Sequence, residues 1–583
     1  MNGPRGNRAT RPSIVGSALS AAAGIALCLS GCGSGSPQQP AELVLRGGRI
    51  ATLDEERPEA EAIAIRNGRI LAVGSNEDIA GYIASSTQIL ELGGQFAMPG
   101  FIEGHGHFTG IGESRLILDL LTTTSWDQIV QMVAHAVAGA RPGQWIVGRG
   151  WHQEKWTRPP QPAVEGFPTH ASLDAVSPKN PVVLTHASGH ASFVNQAAMA
   201  ASNISRTTPN PDGGEILKDA SGNPTGLLRE TAASLVRRGA GEPAATPAEA
   251  DARARQVLEL ADQEVTSKGI TSFQDAGSSY DVIERMKRMV DEGALRVRLW
   301  VMVRTNDNAT LAAGLDRARM VGYGDNRLTV RAIKAYMDGA LGSRGAWLLE
   351  PYSDQPGSTG LPGSLDALAE TAQLALDHGY QLCTHAIGDR ANREVLNIYQ
   401  EAFTRSGKNG ADLRWRLEHA QHLSPADIPR FGRLGVIASM QPVHATSDAV
   451  FVPARLGERR AAEGAYAWQS LLKSGALVTA GTDAPVEDVD PIHNYYAAVT
   501  RKTADGRVFY GAQAMSRLEA LRASTINNAR AAFEDDLKGT LAVGKLADIT
   551  VLTKDITAVP DEEITQAKVA YTIIGGKVAY RAP

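Results

Sequence analysis

The chain has 583 residues, 43% hydrophobic and 21% charged, with Lys+Arg 58 against Asp+Glu 63 and a net charge of -5. That length leaves room for more than one domain, and the ordinary balance excludes a chain that is disordered or membrane-spanning in bulk. No basic excess points to nucleic acid, so a small molecule is the expected partner.

In chain order, Arg5, Arg8 and Arg11 come first, followed by an apolar, alanine-rich run from Ile14 to Leu29. The run is too short and too rich in small residues for a good membrane span and reads as a signal peptide, 1–31. It closes on Leu29-Ser30-Gly31-Cys32, which resembles a bacterial lipobox, and passes into Gly33-Ser34-Gly35-Ser36-Pro37, a flexible tether over 32–41. The expected event is cleavage before Cys32 and lipid attachment to its thiol. That places the protein at the bacterial cell envelope, touching the membrane through the anchor only. The cleavage also removes three arginines and no acid. Cys383 is then the one cysteine left in the folded body, which excludes an intramolecular disulfide. Its apolar surroundings, Tyr380 to Thr384, suit a buried inert thiol better than a nucleophile.

Glu42 to Ile50, Ala62 to Val73 and Gln88 to Phe96 are rich in Val, Ile and Leu and punctuated by Gly47-Gly48, Asn67-Gly68 and Gly93-Gly94, as strands and hairpin turns are. The same texture returns in Gly544 to Leu552 and Val569 to Tyr580, so 42–96 and 537–583 are expected to build one β-domain together. Between them, over 97–536, strand-like runs alternate with helical stretches, the pattern of βα units and a parallel sheet. Eight runs qualify: Phe96 to Ile102, Ile270 to Gln274, Val297 to Val303, Val330 to Tyr336, Gln381 to His385, Trp415 to Glu418, Val436 to Gln441 and Ala476 to Ala480. Eight closes a (β/α)8 barrel of the TIM type. The gap after the first run is too long for one helix, so an insertion of about 109–238 is expected, with Trp145, Trp151 and Trp156 as its aromatic patch.

In such a barrel the chemistry sits at the strand ends. The first run leads into Glu103-Gly104-His105-Gly106-His107, whose two histidines share a strand face and can share a cation. Lys334 lies on the fourth run, His385 ends the fifth, Glu418-His419 the sixth, and Gly481-Thr482-Asp483 the eighth. A lone strand histidine usually just satisfies a hydrogen bond. Four at strand ends, with a lysine and an aspartate, supply the nitrogen and oxygen donors that divalent cations such as zinc prefer. Lys334 as an ammonium repels a cation and reads more plainly as a salt bridge to Asp338 or Glu418. Carboxylated by carbon dioxide, it becomes an anionic oxygen donor able to bridge two ions.

These motifs, with Trp145 to Trp151, His190 to Asn195, Asp338-Gly339-Ala340-Leu341-Gly342-Ser343-Arg344, Thr384 to Asp389 and Gly544 to Asp548, resemble the amidohydrolase superfamily over most of the chain. Within it they are similar to the amidohydrolase-3 branch typified by N-substituted formamide deformylases. The resemblance implies an α/β fold: a metal-dependent barrel with a composite β-sandwich from both termini. It implies that His105, His107 and Asp483 hold a buried metal, that His385 and His419 hold a more exposed one, and that carboxylated Lys334 bridges them. It implies one or two divalent ions, zinc first, attack of a metal-bound hydroxide on an amide, N-formyl or N-acyl bond, and Asp483 as the catalytic acid and base. Trp151, His190, Arg344 and Asp389 fall in family-like motifs as candidates for the substrate pocket, and His444, ending the seventh run, is a candidate for facing substrate. Against these stand insertion packing for Trp151 and an ion pair of Arg344 with Asp338 or Asp389. The remaining histidines, His135, His152, His170, His186, His378, His422 and His493, suit surface or structural roles. Barrels of this family often pair, which implies a homodimer.

Two other readings remain open. One is a cyclic-amide or dipeptide hydrolase or a deaminase on the same fold; Lys334 weighs against a deaminase, which generally works with one metal. The other is a lipid-tethered metal-dependent binding protein, against which the ligand set is larger than a closed structural site needs.

Overall fold

A computed structural model describes residues 39–239 and 246–583. The signal, most of the tether and the lipidation candidate Cys32 lie outside the described residues. The chain divides into Met1–Gln39 and Pro40–Pro583, and all the architecture that follows belongs to the second unit.

Eight parallel strands form its centre: β1 (Phe101–Gly106), β2 (Ile270–Ser278), β3 (Arg298–Val303), β4 (Leu328–Tyr336), β5 (Gln381–Ala386), β6 (Arg416–His419), β7 (Ile437–Met440) and β8 (Val478–Ala480), hydrogen-bonded in chain order. Each of the eight apolar runs contributes a strand. The first is divided at Gly100: Phe96–Pro99 joins the terminal sheet, and β1 begins after it. A Cβ on Gly100 would lie 2.2 Å from the side chain of Thr271, so a residue without one is required where the chain passes from one sheet to the other.

The gap between β8 and β1 is closed by other means than a strand ladder. Asn528 donates to Ile102 O at 2.7 Å and Ala480 O at 2.8 Å, Asp483 N–H donates to His105 O at 2.7 Å, and His107 N–H donates to Ala484 O at 2.7 Å. Strands β1 and β8 approach so closely that a Cβ on Gly481 would lie 2.4 Å from His105 N. The sequence therefore brings His105, His107 and Asp483 to one seam. The barrel interior is filled by Ala276, Trp300, Met302, Ala332 and Cys383, with Ala532 beneath, so it is a packed core and not a pore. Cys383 is buried there with a free thiol.

A second sheet of eight strands draws on both ends of the unit. Leu43–Ala51, Glu59–Arg66, Arg69–Gly74, Gln88–Glu91 and Phe96–Pro99 join Ile549–Leu552, Val569–Ile574 and Lys577–Arg581, with Phe96–Pro99 antiparallel to Ile549–Leu552. This sheet is tied to the barrel floor by a buried bidentate ion pair, Arg298 to Asp548 at 2.7 and 3.0 Å. Between β1 and β2 the chain builds a six-stranded sheet from Leu118–Asp119 to Pro224–Glu230. Its own core gathers Trp126, Trp151, Trp156, Phe167 and Phe193. Among the described residues no helix is long and apolar enough to cross a membrane.

Candidate metal and substrate site

The C-terminal ends of the barrel strands open into a cavity of about 920 Å³, walled by the strand-end residues on one side and by the inserted sheet on the other. At its base the ligating atoms of His105, His419 and Asp483 lie within 4.8 Å of one another, all three residues buried. His107 Nε2 is 3.2 Å and His105 Nε2 3.6 Å from Asp483 Oδ1. Neither contact has hydrogen-bond geometry, so Asp483 Oδ1 is a buried carboxylate oxygen without a hydrogen-bond partner among the described residues. His385 packs on His419 with ring centroids 4.5 Å apart, and its Nε2 lies 3.5 Å from Asp338 Oδ1, again without a hydrogen bond. Lys334 Nζ is 3.2 Å from His105 Nε2. The salt bridges considered for it go elsewhere: Glu418 pairs with Arg416 and His105, and Asp338 accepts the N–H groups of Trp347, Ile387 and Gly388.

Backbone and neighbouring side chains aim these groups. His419 and Asp483 stand at φ 76° and 57°, a region that L-residues rarely adopt and that costs each about 1–3 kcal/mol. Both turn the chain sharply at a strand end. His105 Nδ1 is held by Glu418, itself fixed by Arg416, and His419 Nδ1 is 2.7 Å from Gln441 Oε1. Each histidine thereby keeps its other nitrogen for the cavity, as in ligating histidines whose ring is oriented by a second group.

Electrostatics favour the same use. Burial pushes His105 down to about 4, with nearby Lys334 adding to the effect, and burial with neighbouring imidazoles holds His385 and His419 well below the ordinary histidine value. Neutral imidazole is the ligating form. For Asp483 burial opposes the charge, yet His107, His105 and His419 outweigh it and hold the carboxyl well below its ordinary range. Orphaned buried donors, neutral imidazoles and an ionised carboxylate together suit a divalent cation.

The other candidates divide. His190 and His444 reach the cavity wall. His190 Nδ1 is 2.7 Å from Glu230 Oε2 and its ring 5.2 Å from His385, while the His444 ring is stacked 6.5 Å from His419. Burial opposes charge on His190, but the charge and hydrogen bond of Glu230 raise its pKa on balance. Trp151, Arg344 and Asp389 are not brought to this wall. Trp151 is fully buried in the inserted core and donates to Leu184 O at 2.8 Å. Arg344 pairs with Asp354 at 2.9 Å, not with Asp338 or Asp389, and Asp389 accepts Leu349 N–H at 2.8 Å beside a separate small cleft.

Several wall residues escaped the sequence reading. Glu230 and Arg149 come from the inserted sheet, and His152 and His186, assigned surface or structural roles, are buried and line the wall with ring centroids 4.5 Å apart. Tyr336, the last residue of β4, stands 5.3 Å from the His385 ring. Its place at a strand end was the available signal, as was the Trp145 to Trp151 motif for Arg149; for Glu230, far from any barrel strand in sequence, there was none.

A barrel whose open end gathers metal-type ligands beneath a substrate-sized cavity defines a metal-dependent hydrolase architecture. The chain belongs to the amidohydrolase family, whose sequence profile matches residues 88–580. It is 34% identical over 558 residues to the Arabidopsis thaliana protein LONG AFTER FAR-RED 3, covering 93% of this chain and 92% of that one. It is 28% identical over 555 residues to the N-substituted formamide deformylase of Arthrobacter pascens, covering 93% and 99%. Among solved structures, an uncharacterized metal-dependent hydrolase from Pyrococcus horikoshii superposes with a TM-score of 0.70 at 25% identity, over 89% of this chain and 99% of that one. The protein is thus a hydrolase of the amidohydrolase family.

Proposed function

We propose that this hydrolase cleaves a non-peptide carbon–nitrogen bond in an amide, N-formyl or N-acyl compound. The observation that carries the reading is the trio His105, His419 and Asp483, with Asp483 Oδ1 unpartnered, at the floor of a cavity in an amidohydrolase barrel. The similarity to a formamide deformylase supports the same bond type. One or two divalent ions, zinc first, held by His105, His107, His385, His419 and Asp483, supply Lewis acidity to a carbonyl and acidify water. Asp483 takes the proton of the attacking water and delivers it to the leaving nitrogen. Lys334, whose Nζ lies beside His105 Nε2, is the candidate for carboxylation, which would add the oxygen donor for a second ion. The inserted sheet supplies the wall that faces the strand ends, with Arg149, His190 and Glu230 lining it.

A deaminase or other single-cation enzyme is the second reading, favoured by a trio that omits His385. Native mass spectrometry separates the two: a carbon dioxide adduct and two ions per chain support the bridged site, one ion and no adduct the alternative. For the main reading the test is a hydrolysis screen of formamides, acylamino acids and cyclic amides after chelation and after reloading with zinc. Reloading is expected to restore activity, and replacing both His105 and His107 by Ala to abolish it; a double variant that keeps its ion and its rate overturns the reading.

The same proposal carries the domain reading: a composite β-sandwich over 42–96 and 537–583, and an insertion of about 109–238 in the barrel of 97–536. It also anchors the enzyme at the cell envelope through lipid on Cys32, which a Cys32→Ser variant lacking the mass of the lipid would establish, and pairs two barrels in a dimer, readable from its sedimentation.

A further inference from the structure

We propose that the substrate carries a carboxylate away from the scissile bond and that Arg149 binds it. The inference rests on the amide-hydrolase reading above and names the substrate class of that same cavity.

Arg149 lies on the inserted strand Ile146–Trp151, and its side chain reaches across to the barrel. Its Nη2 donates to Ala187 O at 3.0 Å and its Nε lies 3.4 Å from Pro485 O, two residues beyond Asp483. The guanidinium also lies beside Gly189, where a Cβ would sit 3.6 Å from both Nη1 and Nη2. It is thereby fixed in the cavity wall by backbone from both the insertion and the barrel. Two carbonyls orient a guanidinium but leave its charge uncompensated, and most of its five N–H groups remain available. Glu113 and Asp483 are near enough for their fields to reach it, yet among the described residues no carboxylate stands within ion-pair distance. Three further acids of the wall are engaged elsewhere: Glu230 with His190, Glu487 with Lys155, and Asp448 with Tyr466.

A part-buried cation without a counter-ion is costly unless a ligand supplies one, and the planar fork of arginine matches a carboxylate in bidentate fashion. The position also suits the chemistry. A group anchored to the carbonyl of Pro485 keeps a fixed offset from Asp483, so a substrate held by its carboxylate presents its amide in register with the proton-carrying residue.

The experiment compares matched pairs on the zinc-loaded, full-length enzyme: N-acyl and N-formyl amino acids against the same compounds with the carboxylate replaced by a primary carboxamide. The wild type is expected to prefer the carboxylates by about 100-fold or more in kcat/KM. Arg149→Gln is expected to erase that preference through KM, leaving the neutral twins within about threefold, with ion content and unfolding temperature unchanged. Arg149→Lys retains charge and recovers part of the preference. A wild type that favours the neutral twins, or an Arg149→Gln variant that loses both sets equally, overturns this proposal alone. A wild type that hydrolyses nothing in the panel overturns the amide-hydrolase reading and this one with it.

Discussion

The two ends of the barrel bury charge in opposite ways. At the floor Arg298 and Asp548 meet in a complete bidentate pair, Asp548 also accepts Gly575 N–H at 2.8 Å, and Lys538 pairs with Glu534 while donating to Ser272 Oγ. At the mouth Asp483 Oδ1, His385 Nε2 and His444 Nε2 are buried without hydrogen-bond partners. Both ends pay for desolvation, but only the floor has a structural return for it. The difference teaches that buried charges answered by opposite charges hold a fold together, whereas unanswered ligand-type groups gathered at one cavity mark where a ligand belongs.

Three substitutions can break or sharpen that contrast, from the largest effect down. Asp483→Asn keeps the shape of the mouth but removes its charge and proton carrier. Steady-state assays should show a loss of about 10⁴-fold, equivalent to about 5.5 kcal/mol of transition-state stabilisation, with unfolding of the ion-free protein barely moved. Asp548→Asn should do the reverse, lowering stability by about 3–5 kcal/mol because Arg298 is left buried and unpaired. Ion-free thermal unfolding reads this loss, and the residual folded enzyme should retain its rate. The sign of its pH dependence follows from the ion pair. Burial opposes charge on Asp548, but Arg298 outweighs it and holds the carboxyl below its ordinary value. Its contribution is therefore complete above about pH 4 and is lost as the pH falls through the lower folded value, so wild type and variant should converge in acid. If Asp548→Asn instead abolished activity at full stability, the contrast between floor and mouth would be lost. The smallest effect is expected of Gln441→Met, which frees the His419 ring: zinc affinity, followed by competition with a chromophoric chelator, should weaken about 10- to 100-fold with little change in stability.

Much of this arrangement is legible in the sequence because it is periodic or local. Each barrel strand is a short apolar run, and the ligand candidates stand at or just beyond strand ends, where the barrel geometry makes them neighbours. His105, His385 and His419 could be found in this way even though 314 positions separate the first from the last. The division of the first run at Gly100 was not legible, since its apolar pattern continues unbroken across two sheets. Wall residues from the insertion were not legible either. Trp151 stands in a distinctive motif yet serves its own core, while Arg149, two residues earlier and by simple alternation on the same face, lines the cavity: the strand register shifts between them at Gly150, whose φ is 112°. Arg344 likewise found its partner in Asp354, which no pattern singled out.

The pairing of Phe96–Pro99 with Ile549–Leu552 also sets an order of events. A chain emerging from the ribosome exposes the edge of Phe96–Pro99 through the synthesis of the whole barrel, because its partner follows the eighth barrel strand. That pairing cannot close before Ile549–Leu552 is made, and the barrel strand that begins immediately after Gly100 lacks this anchorage until then. A product ending before Asp548 would hold every proposed metal ligand and still lack the Asp548 counter-ion and the strand that pairs with Phe96–Pro99. Completion of the fold thus depends on a strand made after the barrel, one that lies outside the cavity wall.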